Sequence, residues 1–402
     1  MRLLAALLLL FSLVATAIAA EPDAAPDGPE PSFPAKTRYE VPMGRTEFHP
    51  LIVPESGYVV GTHPYQSVIV GQIESEGLDT EDGTVGVVLR DFTLDGGDKS
   101  MPYAPQSHRR DREKYPDGEP GIHVKSWGFR AADLSILNVP GIALLYERGP
   151  AAPRRWVYDR EIAAQPEGRI EDIFIGRCYD GLVVKTADTH ISRVDVGGVR
   201  GVGINPGAAA LVQGCHTYGC HIGFLLTERC YLTGNEAENC GTGLVNSGAG
   251  SQITGLRVFS CPTGLDLQAW ARVVGLLVTT DRRDAVAVRI GPGKQAHHSA
   301  VDCDLELCAG STGVVVSANK TDLKVRHSWG GARTVLIDTP VNDCRLDVCV
   351  DGSQVGVEIQ RLGRRNRIDI TARNCKTPVV LPQRGIDSSN VITVNGKPYR
   401  PR

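Results

Sequence analysis

The chain has 402 residues, with 43 Lys and Arg against 46 Asp and Glu and a formal charge of −3. A balance so near zero, with both signs interspersed, leaves no electrostatic footprint for a nucleic-acid partner. Forty-five glycines, three methionines and the lack of any sustained 3.6-residue period exclude a helical protein and point to many short strands joined by tight turns.

Residues 1–20 read as a signal peptide. Arg2 supplies the positive start, Leu3 to Val14 the apolar stretch, and Ala17, Ile18 and Ala19 a cleavage signal. A retained anchor is the alternative. No other stretch approaches the ~20 apolar residues of a spanning helix, so no membrane partner is expected after cleavage. The expected destination is secretion, the periplasm or the cell surface. Residues 21–37, rich in Pro and acid, read as a disordered linker. Residues 38–395 are long enough for one repetitive domain, and 396–402 form a short tail.

From Gly141 a glycine followed by an apolar strand returns about every 21 residues; Gly203, Gly223, Gly243 and Gly264 are 20, 20 and 21 apart. Cys178, Cys220, Cys240 and Cys261 each precede such a glycine by three positions. Asn138 takes the slot before Gly141, and Cys375 that before Pro378. Self-similarity at this period predicts a solenoid whose coils bury their apolar faces against one another. A second strand in each coil alternates, as in Ile170 to Ile175 and Ile191 to Val196. The expected fold is all-β: a single-stranded right-handed parallel β-helix of about 11–12 coils of 20–27 residues, right-handed because parallel crossovers are.

In such a stack the cysteines before the glycines form an inward column of small groups. Cys215, Cys303 and Cys344 are expected at inward positions of the alternating strand. Disulfides between neighbouring coils and metal binding are the alternatives, though no CxxC or His/Cys spacing supports a closed site. His216 and His221 are expected on opposite faces, so no metal ligands are expected.

The turns Glu238 to Gly243 and Phe259 to Gly264 resemble those of right-handed parallel β-helix repeat proteins of the pectate-lyase-like superfamily. Val41 to Thr46, Leu51 to Gly61 and Gly86 to Gly97 resemble that group's opening coils, so the likeness runs over roughly 38–395. The resemblance implies the fold and a polysaccharide partner. It implies no catalytic residue: the Asn-Thr-Asp, Asp-Asp, Gly-His-Gly and Arg-Ile-Lys pattern of polygalacturonases is missing, as are the Arg-x-Pro-x-x-Arg and Trp-x-Asp-His signatures of pectate lyases.

Two excursions break the rhythm, Asp98 to Gly121 and Glu147 to Gly168, and long loops on a rigid scaffold often carry function. Around the second, Trp127, Arg154, Arg155, Trp156 and Tyr158 are the candidates for sugar binding, aromatics for flat sugar faces and arginines for acidic substituents. Asp159, Glu161, Lys185, Asp188 and His190 are the candidates for acid, base or nucleophile. No cofactor is required; Ca²⁺ fits if the enzyme is a lyase. A second, acidic candidate comprises Asp91, Asp95 and Asp98 with His108, Asp111, Tyr115 and Asp117. The expected function is an exported lyase or glycoside hydrolase acting on a polysaccharide, possibly acidic. The alternative is a non-catalytic carbohydrate-binding or cell-surface solenoid. Oligomeric state is left open, since the last strand, Val391 to Val394, needs a cap or a partner.

Overall fold

In the computed structural model the described residues are 38–54, 57–76, 84–97, 118–147, 168–292, 294–382 and 386–399. They wind into a parallel β-solenoid of about 14 turns. That is more than the expected 11–12 coils, and 38–97 coil without the glycine and cysteine pattern. Among the described residues every strand pairs in parallel with strands one coil away, except at the C-terminus. There Thr393 and Val394 pair antiparallel with Pro398 and Lys397, so the tail folds back on the last strand.

Each middle coil is a triangle of three faces. The A face holds the strands that open on the ladder glycine, such as Ile222–Leu226 and Thr242–Asn246. The alternating strand bends part-way and divides between a B face, such as Leu211–Gln213, and a C face, such as His216–Tyr218.

All three corners are built from residues with positive φ, stacked in columns. Between B and C stand Asp133, Asp172, Arg193, Gly214, Gly234 and Gly255, with φ from 52° to 64°. Between C and A stand Asn138, Arg177, Gly198, Gly219, Asn239 and Ser260. Between A and B stand Asp188, Ala209, Gly250, His298, Lys320, Asp343 and Arg365. Glycine takes this left-handed backbone freely and Asp and Asn more readily than most, which accounts for much of the Gly, Asp and Asn content.

The register corrects three sequence expectations. The strand pairing sets Gly181 beside Ala143, not Gly141. Val139, not Asn138, faces Cys178, while Asn138 lies beside Arg177 in the left-handed column. Cys215 and Cys303 do share an inward column with Val194 and Leu276. Cys344 does not: it lies one residue before its strand, at the A–B corner in the column of Cys230, Ser299 and Thr321. None of the eleven cysteines is in a disulfide, and eight are buried.

The core is a stack of inward columns, for example Ile204, Phe224, Leu244 and Leu265, all fully buried. Burying such side chains contributes roughly 1.5–3 kcal/mol each.

Asp95, nearly buried, ties the first coils together. Its carboxylate accepts from Arg45 Nη2 at 2.8 Å, Asn138 Nδ2 at 2.9 Å and Gly97 N at 3.1 Å. Burial works to raise its pKa, but these donors outweigh it and hold the group below its ordinary value. A carboxyl depressed in the folded state contributes stability that is present above the unfolded value of about 4 and lost as pH falls through the folded one. Asp95→Asn should therefore flatten the acid limb of stability, read by urea unfolding at neutral pH and near pH 3. An unchanged acid limb would remove this role.

Candidate functional site

Of the residues singled out around the second excursion, Arg154, Arg155, Trp156, Tyr158, Asp159 and Glu161 lie outside the described residues, as do Asp98, His108, Asp111, Tyr115 and Asp117. Trp127 is 5% exposed, so its ring is packed inside and is no platform for a sugar. Lys185 ends an A-face strand, Asp188 is the left-handed residue of the next corner, and His190 opens the B face. Register neighbours Lys125, Glu147 and Lys185 alternate in charge along the A face. Glu147 accepts from Lys185 Nζ at 2.8 Å and lies 3.3 Å from His123 Nε2. Burial raises the Glu147 carboxyl, but the hydrogen bonds from Lys185 and His123 prevail and hold it below its usual range. Lys185 is thus an ion-pair partner more than a free base. In the acidic candidate, Asp91 is a left-handed corner residue and Asp95 the tie just described.

The richer chemistry lies on the C face, where the strand period of two turns alternate residues outward. One outward column reads Ser135, Phe174, Asp195, His216, Glu236 and Arg257. The next reads Leu137, Gly176, Gly197, Tyr218, Glu238 and Phe259. The two stacked glycines leave a gap between Leu137 and Tyr218, and a hollow of about 440 Å³ opens there beside Phe174, Asp195 and His216. A second hollow of about 380 Å³ lies on the other side of Phe174, bounded by Tyr65, Asp133, Asp172, Arg193 and Asp195. Phe174, on a C-face strand, is 48% exposed, and Tyr65, in the turn before Ser67, is 74% exposed. A shallow groove with aromatic posts results.

Its charges are arranged in order. Arg193 clamps Asp172 with two hydrogen bonds of 2.7 and 2.6 Å at the B–C corner. That pairing, opposed by slight burial, holds the Asp172 carboxyl below its usual range. Asp133 and Asp195 carry no such clamp. Further along, His216 lies between carboxylates, with Nδ1 3.9 Å from Asp195 and Nε2 3.8 Å from Glu238. Arg257 approaches Glu236 at 3.6 Å and rests over the Phe259 ring, 5.3 Å from its centroid. His221 lies past the next corner, away from His216.

Larger hollows lie elsewhere. One of about 860 Å³ near Leu362 and Ile386 is lined mostly by apolar residues, with Glu358, Gln360 and Arg361. One of about 730 Å³ on the B face is floored by Arg38, Arg90, Arg130 and Arg169 with Tyr58. Arg90 is already paired with Asp91 and Arg38 with Glu40.

No protein-family model matches the chain, and no curated protein matches it. Among solved structures it is similar to an N-terminal fragment of bacteriophage phi29 gene product 12, at 15% identity and TM-score 0.39 over 88% of this chain. It spans about three fifths, 61%, of that fragment. It is also similar to the A-module of the mannuronan C-5 epimerase AlgE6 of Azotobacter vinelandii, at 14% identity and TM-score 0.43 over 91% of each chain. The catalytic domain of a GH87 alpha-1,3-glucanase matches at 10% identity and TM-score 0.39, over 94% of this chain and 71% of that one. The parallel β-solenoid assignment rests on the strand register, not on these likenesses.

Proposed function

We propose that this protein is exported through residues 1–20, binds a polysaccharide along the C face and cleaves it as a glycoside hydrolase or lyase. The observation that carries this reading is the pair of hollows on either side of Phe174. Phe174 and Tyr65 offer exposed apolar faces for sugar rings, while the carboxylates of Asp133 and Asp195 border the same hollow. Aromatic posts with convergent polar groups are the usual make-up of a ligand groove. Two unclamped carboxylates can divide the work of acid and of base or nucleophile. In a lyase one of them takes the proton next to a uronate carboxylate, and Arg193, which borders the second hollow, favours acidic substituents.

The test is a screen of purified protein against uronate-containing and neutral polysaccharides. Rising ultraviolet absorbance marks a lyase, and reducing ends without it a hydrolase. Asp195→Asn should lower turnover by about 100-fold or more, whereas Phe174→Ala should weaken binding by about tenfold through lost apolar contact. Turnover indifferent to both changes would move the site away from this face. Binding without turnover would favour a non-catalytic carbohydrate-binding solenoid. That second reading is supported by Glu147, whose carboxylate is taken up by Lys185 at 2.8 Å and His123 at 3.3 Å.

A further inference from the structure

We propose that His216, Glu236 and Glu238 form a binding site for a divalent transition cation of the zinc or manganese class. One ligand atom from each of the three side chains lies within 4.8 Å of the others. Their placement follows from the register: His216 pairs with Glu236 across one coil step, and Glu238 follows on the same outward face two residues along. Nε2 of His216 is shielded from solvent and makes no hydrogen bond, although it faces Glu238 Oε2 at 3.8 Å. That separation is too long for a hydrogen bond. Ligands bound at about 2.1 Å to one ion lie roughly 3–4 Å apart, so the separation suits two ligands of a shared cation.

The other ring nitrogen, Nδ1, faces Asp195 at 3.9 Å. That separation too exceeds a hydrogen bond, so Asp195 adds negative charge beside the ring without fixing its orientation. One imidazole and two carboxylates suit zinc or manganese; calcium prefers an all-oxygen shell. Only three protein ligands are present, so the remaining positions open outward to water or a sugar hydroxyl. Arg257, at 3.6 Å from Glu236, is the cationic competitor within the cluster. The inference does not depend on the polysaccharide reading, because it stands on the ligand atoms alone.

The experiment is isothermal titration of ZnCl₂, MnCl₂ and CaCl₂ into the chelator-treated full chain, made without a polyhistidine tag. The expected result is one zinc or manganese site per chain, with calcium weaker than both. His216→Ala and Glu238→Gln should each weaken binding by at least about tenfold while leaving the unfolding midpoint in chelator unchanged. A variant with His297 and His298 both replaced by Ala tests the other adjacent histidines and should bind as the parent does. Glu236→Gln serves should either first variant fold poorly. Absence of binding, calcium binding tighter than zinc and manganese, or stoichiometric binding that survives both single changes would overturn the proposal. Phe174→Ala should leave the titration unaltered, so loss of the sugar site and loss of the cation site are told apart.

Discussion

Gly223→Ala is expected to destabilise the solenoid by about 3 kcal/mol or more, the cost of forcing atoms into a packed interior. The glycine is not required by its own dihedrals, which are ordinary. A Cβ at this position would stand 2.5 Å from the carbonyl oxygen of Gly243 in the next coil and 2.5 Å from Thr217 Oγ1. Gly243 in turn meets Gly264 O at 2.5 Å, and Gly203 meets Gly223 O at 2.7 Å. Thr217 is a buried side chain and the carbonyl is backbone, so relief at the carbonyl requires the coils to separate and the A-face hydrogen bonds to lengthen. Gly234 offers the contrast: its φ is +62° and nothing lies within 4 Å of the added carbon. Gly234→Ala should therefore cost only the left-handed penalty of about 1–2 kcal/mol. Equilibrium urea unfolding of the two variants checks the order. Equal losses would show that the period reflects turn conformation instead of the approach of neighbouring coils.

Asn235→Leu is the second change with a large expected effect, about 3 kcal/mol. Asn235 is 1% exposed in the inward column that also holds Cys215 and Leu256. Leucine is accepted one coil later, so volume is not the difficulty. At the B–C corner the Asn235 side chain accepts from Cys215 N at 2.9 Å and donates to Val212 O at 3.0 Å. Removing it leaves the buried Cys215 N–H without its acceptor and takes one donor from Val212 O. The unsatisfied group costs roughly 1–3 kcal/mol, to which the strain of a leucine at a corner built for the amide adds. Asn366 repeats the device, accepting from Cys344 N at 3.0 Å and donating to Val341 O at 2.9 Å. Faster amide exchange confined to residues 212–216 would accompany the loss of stability. Unchanged exchange there would show that water or a backbone shift replaces the amide.

The repeat was legible because a close approach between coils imposes the same residue type at the same place in every turn. The bend in the alternating strand was also written in the sequence. Inward residues Ile191, Val194 and Val196 are spaced three and then two, and the extra residue, Arg193, is the left-handed corner. Reading that stretch as one uninterrupted strand joined two faces into one. It also misplaced Cys344, whose neighbours at the start of a strand are set by the A–B corner. The candidate groove was less legible for a different reason. Phe174, Asp195, His216 and Glu236 recur 21, 21 and 20 residues apart, as regular as the glycines. Each looks like an ordinary solvent-facing strand residue until the coils are stacked. Attention to the interruptions in the period turned instead to Asp188, which serves a corner, and Trp127, which serves the core.

The buried cysteines bear on how the molecule meets oxidants. Burial pushes Cys215 up to about 11 and Cys178 and Cys230 to about 12, so the thiolate of these three all but vanishes once the coils have stacked. For the eight buried cysteines chemical vulnerability then belongs mainly to the unfolded chain, whereas Cys308, Cys349 and Cys375 are only half-buried when folded. Successive coils contact only neighbours about 20 residues away, and such local closure is fast. The speed with which each coil docks on the last therefore sets how many of the core thiols an oxidant can capture, which makes folding rate, more than final stability, the quantity that preserves this column.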